Sequence, residues 1–339
     1  MRLPAAVLIL VLTLPAAASA QALPPDITGV APPTPISAYN GQLVWSQPAS
    51  NGQYQLVTRT GSGPVTPVPI ATRAVPFDVD LGPTSSGTIY AVYSRCATEP
   101  EWGPYSMPPY QLGKGCMIYK FDFSANQEVK YSKVNASNAS QYWPSYWKGK
   151  IAYGRTYASN TNKGYLYSKT VASSTPSAQM PIGALGTQAN AQQVELNGNN
   201  LAFAWNYEAE PYTYYQLRMD KIGSKGSTVL DQTRGGQSQV ALGWPAFGSS
   251  SQITWLRYCL GDPAVCPGQT RIQSSTFAGK SDQGSNTTEY VEAYDLDQGI
   301  TYLENDVSSG YSCQTLAIPP TPACTITATQ PTFSPIGGS

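Results

Sequence analysis

Two Glu-x-Glu pairs, Glu99-Pro-Glu101 and Glu208-Ala-Glu210, stand in stretches crowded with rings and prolines. Trp102, Tyr105 and Tyr110 follow the first pair and Tyr212 follows the second. Two carboxylates can act as general acid and base across a glycosidic bond, their separation setting the stereochemical course. Without turnover the same groups suit sugar recognition, because flat rings pack on C–H faces and carboxylates accept hydrogen bonds from hydroxyls. The chain contains no histidine. That removes Ser-His-Asp and Cys-His nucleophiles, His-ligated zinc and the usual base near neutral pH.

Other residues with chemical potential have plainer readings. The acidic run from Glu292 to Asp306 contains Asp295-Leu-Asp297-Gln-Gly299, in which glycine stands where a tight turn needs it. As a calcium loop starting at Asp295 it would need glycine at position 300, where the chain has Ile. Ser145-Tyr-Trp-Lys148 has the Ser-x-x-Lys spacing of acyl enzymes but precedes a turn instead of opening a helix. Asn135, Asn138 and Asn286 begin Asn-x-Ser/Thr acceptors that matter only in a glycosylating host. No metal or cofactor is expected.

The elements that must position these groups repeat. An apolar residue, a small or apolar residue and an aromatic recur in Leu43-Val-Trp45, Ala91-Val-Tyr93, Ile151-Ala-Tyr153, Leu201-Ala-Phe203, Ile253-Thr-Trp255 and Ile300-Thr-Tyr302. Each follows a turn pair such as Asn40-Gly41, Lys148-Gly149 or Gln298-Gly299, and a third strand follows, from Tyr54-Gln-Leu-Val in unit one to Gln314-Thr-Leu-Ala in unit six. Alternating apolarity between turn clusters marks an all-β chain. With a weaker fourth strand each unit reads as a four-stranded antiparallel blade, and six of them as a six-bladed β-propeller. The closing strand comes from Asp26-Ile-Thr-Gly-Val or Thr325-Ile-Thr-Ala. Arg95, Arg155 and Arg257 share the position two residues beyond the aromatic, with Glu304 expected at the same place in unit six. Their plain role is stacking on a neighbouring ring or pairing with an acid.

Units such as Pro144-Ser-Tyr-Trp-Lys-Gly-Lys-Ile-Ala-Tyr153 followed by Gly164-Tyr-Leu-Tyr167 resemble the TolB-type propeller repeat, with its Pro-Asp-Gly turn, Ile-Ala-Phe strand and later Ile-Tyr strand. The likeness extends over nearly the whole chain after residue 20, although no copy keeps Pro-Asp-Gly intact. It implies a six-bladed fold and export, and no particular partner.

Residues 1–20 read as a secretory signal peptide: Arg2, an apolar run from Ala5 to Leu14, Pro15, and small residues at Ala18 and Ala20. Residues 21–339 then form one propeller domain, secreted or periplasmic, without membrane insertion. In that setting the six cysteines are expected to pair within units, Cys96 with Cys116, Cys259 with Cys266, and Cys313 with Cys324. Lys plus Arg number 20 and Asp plus Glu number 20, a balance that steers neither nucleic acid nor an anionic membrane. The expectation is a non-catalytic binding module for a glycan or an extracellular protein, with Glu99, Glu101, Trp102, Tyr105, Tyr110, Glu208, Glu210 and Tyr212 as ligand residues. A carboxylate-dependent glycoside hydrolase or polysaccharide lyase is the alternative, and a purely structural surface protein the third reading.

Overall fold

The computed structural model describes residues 23–30, 34–99, 113–172, 177–178, 189–209, 212–223, 226–234, 240–249, 252–259, 271–276, 279–286, 291–305, 324–330 and 334–335. Residues 1–20, read above as a leader, lie outside them. Every regular element among the described residues is a strand, and none of these residues forms a helix long and apolar enough to cross a membrane.

The strands fall into repeating antiparallel runs. After β1 (Ile27–Val30), unit one holds β2 (Ser37–Tyr39), β3 (Gln42–Pro48), β4 (Tyr54–Thr60) and β5 (Thr66–Pro67). Unit two holds β6 (Asp80–Pro83), β7 (Ile89–Arg95), β8 (Met117–Asp122) and β9 (Gln127–Lys130). Unit three holds β10 (Ala139–Trp147), β11 (Lys150–Tyr157), β12 (Asn160–Thr170) and β13 (Ser177–Ala178). Unit four holds β14 (Ala189–Asn197), β15 (Asn200–Ala209), β16 (Tyr212–Lys221) and β17 (Thr228–Arg234). Unit five holds β18 (Val240–Ser249), β19 (Gln252–Cys259), β20 (Arg271–Thr276) and β21 (Gly279–Asn286). Unit six holds β22 (Val291–Asp297), β23 (Ile300–Asn305) and β24 (Cys324–Thr329), and β25 (Ser334–Pro335) returns to the edge of β21.

Among the described residues the hydrogen-bonded sheets number five, not the expected six. Units three and four share one sheet of eight strands because a parallel pair, Lys163 opposite Ala189, links β12 to β14. The first strands nevertheless pack in a closed cycle: β2 on β6, β6 on β10, β10 on β14, β14 on β18, β18 on β22 and β22 on β2. This is a β-propeller arrangement, and the repeat aromatics Trp45, Tyr93, Tyr153, Phe203 and Trp255 are fully buried within it. Second strands such as β3 and β11 are buried on both sides, since each unit is covered by its neighbours.

Two details of unit six correct the sequence reading. Its third strand is β24, paired to β23 with Tyr302 opposite Ala328, while the expected Gln314-Thr-Leu-Ala strand lies outside the described residues. The chain's own N-terminal strand then completes the sheet, β1 pairing with β24; Thr325-Ile-Thr-Ala is thus the third strand and Ile27–Val30 the outer one. The register also moves by one. Counted from the turn, Asp295–Tyr302 is the pair equivalent to Ser37–Val44 and Ser145–Ala152. That shift takes Glu304 out of the arginine position, where Asn305 stands.

Turn chemistry sets these registers. Asn40-Gly41, Lys148-Gly149 and Gln298-Gly299 carry positive φ at both residues, the type I′ geometry that matches strand twist. Gly82 serves packing: a Cβ there would lie 1.7 Å from the Tyr146 carbonyl oxygen of unit three. Gly82→Ala is expected to cost about 1–3 kcal/mol through this clash, seen as an earlier urea midpoint with unchanged slope; an unmoved midpoint would mean that the junction yields freely.

Candidate functional site

Taking the hairpin turns as origin, one position of each first strand forms a ring of equivalents. It holds Ser37, Asp80, Ser145, Glu195, Ala246 and Asp295, each opposite the second residue of the repeat strand. Acids occupy units two, four and six, and small residues the units between. Most side chains in this layer reach forward to the next unit and accept its backbone N–H. Ser37 Oγ accepts from Leu81 N at 2.9 Å, and Asp80 Oδ2 from Tyr146 N at 3.0 Å. Ser145 Oγ accepts from Leu196 N at 2.8 Å, and Asp295 Oδ2 from Ala38 N at 2.6 Å. Where unit five has Ala246, the amide of Leu296 turns to Asp295 Oδ1 of its own strand at 2.7 Å.

Asp297, nearer the turn, repeats the device by accepting from Gly41 N at 2.6 Å. Asp295 and Asp297 therefore tie the last unit to the first across 257 and 256 residues of chain. They sit in a hairpin, as their spacing suggests, and act as the clasp of the ring.

Two aromatic contacts flank this layer. Tyr39 and Trp147 of units one and three meet edge-on at 5.7 Å on the turn side, and Trp143 and Trp244 of units three and five at 5.8 Å on the other. Both pairs join units that are not neighbours, so they bridge the middle of the ring. Trp143, Gln193 and Trp244 all have φ near +50° at equivalent bulges of β10, β14 and β18. These bulges are stitched like the acid layer: Trp143 N donates to Asp78 Oδ2 and Trp244 N to Gln193 Oε1, each at 2.8 Å.

Enclosure decides the protonation of the acids. Burial pushes the Asp80 carboxyl up to about 7, against hydrogen bonds from Tyr146 N, Ser145, Ser37 and Glu195 that favour its charge. Burial, then the charges of Asp80 and Asp295, hold Glu195 well above the carboxylate range. Asp295 is raised likewise by burial, although the amides of Ala38 and Leu296 oppose it. Glu195 and Asp80 are hydrogen-bonded to each other, and burial raises both, so the pair holds a proton between them. Two close carboxyls in a dry site cannot both ionise. Among the described residues no group of three or more His, Cys, Asp or Glu is placed to hold a metal ion. Backbone amides occupy Asp80 Oδ2 and both oxygens of Asp295.

The end of the ring away from the hairpins carries the residues singled out in the sequence. Glu99 is held by Arg73, Nε to Oε1 at 3.1 Å and Nη2 to Oε2 at 2.6 Å. The same arginine is buried and also pairs with Asp78 at 3.3 Å. Tyr212 opens β16 with the Arg234 guanidinium 4.1 Å over its ring. Glu208 pairs by its backbone with Thr213, its side chain being outside the described residues, as are Glu101, Trp102, Tyr105, Tyr110 and Glu210. Half-buried tyrosines crowd this end of units three and four: Tyr157 meets Tyr165 edge-on at 5.4 Å, and Tyr207 stacks on Tyr214 at 5.0 Å.

Cys96 and Cys116 are bonded as expected. Cys324 is also disulfide-bonded, while the side chains of Cys259, Cys266 and Cys313 lie outside the described residues. The acid layer was missed in the sequence reading. Its signal is a polar residue three places before the turn pair, as in Ser37 before Asn40 and Asp295 before Gln298.

No family model matches the chain, and no curated relative does. Among solved structures it is similar to a putative TolB from Agrobacterium tumefaciens, at 11% identity over 57% of this chain and 61% of that one, with TM-score 0.40. It is similar to an Aleuria aurantia lectin in complex with Fucalpha1-6GlcNAc, at 11% identity over 82% and 89%, TM-score 0.48. A third is the β-propeller domain of the Trilobed protease from Pyrococcus furiosus, at 7% identity over 80% and 77%, TM-score 0.40. The chain spans 61% of the TolB chain, and 40% and 55% of two peptidases that it also resembles. These are likenesses of fold.

Proposed function

We propose that residues 21–339 form an exported six-bladed propeller that acts as a binding module for a glycan or an extracellular protein. The eight-stranded sheet counts in this reading as two blades, since each half is its own antiparallel run of four strands and a single parallel pair joins them. The Cys96–Cys116 bond suits an oxidising compartment.

The observation that carries the binding role is the concentration of half-buried tyrosines at one end of units three and four, with Arg234 against Tyr212. Rings presenting both a face and a hydroxyl can contact ring C–H groups and hydrogen-bond at once. The described carboxyls have other duties: Glu99 serves Arg73, and Asp80, Glu195 and Asp295 face the enclosed axis. Glu101, Trp102, Tyr105, Tyr110, Glu208 and Glu210 complete the proposed face on the strength of their place in the sequence.

The test is an array of polysaccharides and cell-surface glycans probed with the protein and with a variant carrying Trp102→Ala, Tyr212→Ala, Glu208→Gln and Glu210→Gln. Binding that falls at least about tenfold in the variant, a loss near 1.4 kcal/mol, supports the reading. Equal binding by both proteins would remove the ligand from this face, and no binding by either would overturn the glycan.

A further inference from the structure

The three arginines at one repeat position are not equivalent. In unit two, Glu128 Oε1 accepts from Arg95 Nε at 2.7 Å and from the Tyr93 hydroxyl at 2.6 Å. In unit five, Asp231 Oδ2 accepts from Arg257 Nη1 at 2.5 Å and from Trp255 Nε1 at 3.0 Å. One carboxylate thus caps both the arginine and the aromatic two residues before it. Unit three has the same frame: Tyr153, Arg155 and Tyr167 match Tyr93, Arg95 and Tyr119, since Tyr153 lies opposite Tyr167 as Tyr93 does opposite Tyr119. It has no acid. From Lys130 to Lys169 the chain carries six lysines and Arg155 without one Asp or Glu.

Arg155 is only 4% exposed. Its Nη2 donates to the Val134 carbonyl at 3.1 Å and the Tyr153 hydroxyl at 3.0 Å, and its guanidinium lies 4.6 Å from the centre of the Tyr167 ring. Its Nε has no acceptor among the described residues. A buried donor on a charged group without an acceptor is costly, and in the unit-two slot the corresponding Nε is the atom that binds the carboxylate. Around it, Tyr157, Tyr165 and Tyr167 are half-buried, with the Tyr157 and Tyr167 hydroxyls 2.8 Å apart.

We propose that the Arg155 slot of unit three binds a carboxylate borne on a sugar, a uronic acid residue, which takes the place that Glu128 fills in unit two. The guanidinium and the Tyr153 hydroxyl hold the carboxylate, and the flanking tyrosines contact the sugar ring. This proposal rests on the glycan-binding reading above, because its sugar contacts include Tyr157 and Tyr165 of that same tyrosine-rich end; the Arg155 guanidinium is what it adds.

The experiment titrates the full chain with oligogalacturonate by calorimetry, alongside acetate and a glutamate hexapeptide. The expected result is one oligogalacturonate site per chain, weakened at least about tenfold in Arg155→Gln and by raised salt, with acetate and peptide far weaker. Glu128→Ala is the second variant: by vacating the unit-two slot it should raise the stoichiometry from one to two, and it leaves Arg155 untouched should Arg155→Gln fail to fold. Equal binding by wild type and Arg155→Gln, or an unchanged stoichiometry in Glu128→Ala, would overturn the site. Tighter binding of the peptide, or of acetate, would overturn the sugar. Loss of the array signal in the Tyr212 variant with this titration intact would separate failure of the one face from failure of the other.

Discussion

Raising the pH from 5 to 8 should lower the unfolding midpoint of the protein, and Glu195→Gln should remove much of that fall. Asp80, Glu195 and Asp295 share one layer of the ring, flanked by the Tyr39–Trp147 and Trp143–Trp244 pairs. Their native proton affinities are raised above those of the unfolded chain, to about 7 for Asp80. The native state therefore holds protons that the unfolded chain has already released. Stability from these groups is complete below the ordinary carboxylate range and is lost as pH rises through 7. A rise from near 4 to about 7 at Asp80 corresponds to roughly 4 kcal/mol, distributed over the coupled carboxyls. Glu195→Gln keeps an amide donor beside Asp80 and removes one ionisation and one neighbouring charge from the layer, so its midpoint should fall less than that of the wild type across the same range. A flat wild-type profile between pH 5 and 8 would show that the layer stays ionised at no cost, and an undiminished slope in Glu195→Gln would place the titration elsewhere.

The all-β repeat was legible because each unit declares itself locally: a turn pair, a two-sided apolar strand and a third strand lie within a few dozen residues. What joins the units was not. The bond from Ala38 N to Asp295 spans 257 residues, and nothing near Asp295 distinguishes a clasp from a solvated turn acid. Aligning units on the aromatic also misplaced the sixth, because Tyr302 imitates the repeat ring from the neighbouring register position. Aligned on the turns, the polar ring from Ser37 to Asp295 appears at once. The arginine position was legible as a repeat feature, but its acids come from different places: Glu128 from the outer strand of its own unit and Asp231 from that of the unit before. The lack of an equivalent acid between Lys130 and Lys169 gains meaning only when the partners of the other two arginines are known.

Arg73→Met should destabilise the protein by about 3–5 kcal/mol, more than any single change at Glu99. Arg73 is buried and spreads its donors over Glu99, Asp78 and the Ser94 carbonyl. Asp78 in turn accepts from Ser94 N and Oγ and from Trp143 N of the next unit. Removing the arginine leaves two carboxylates facing each other with no cation, and an orphaned buried charge is worth far more than the net strength of the pair it came from. Glu99 is more open to water, with 20% of its side chain exposed, so Glu99→Gln should cost about 1 kcal/mol. In the double variant, the extra cost of Glu99→Gln should fall toward zero, because neutralising one carboxylate relieves the repulsion left by Arg73→Met. Urea unfolding of the four proteins measures the cycle. Additive costs would mean that Glu99 is independent of the arginine and available to a ligand; coupling at the expected size assigns it to the framework that holds unit two against unit three, and leaves recognition at this end of the ring to the aromatic residues and the remaining acids.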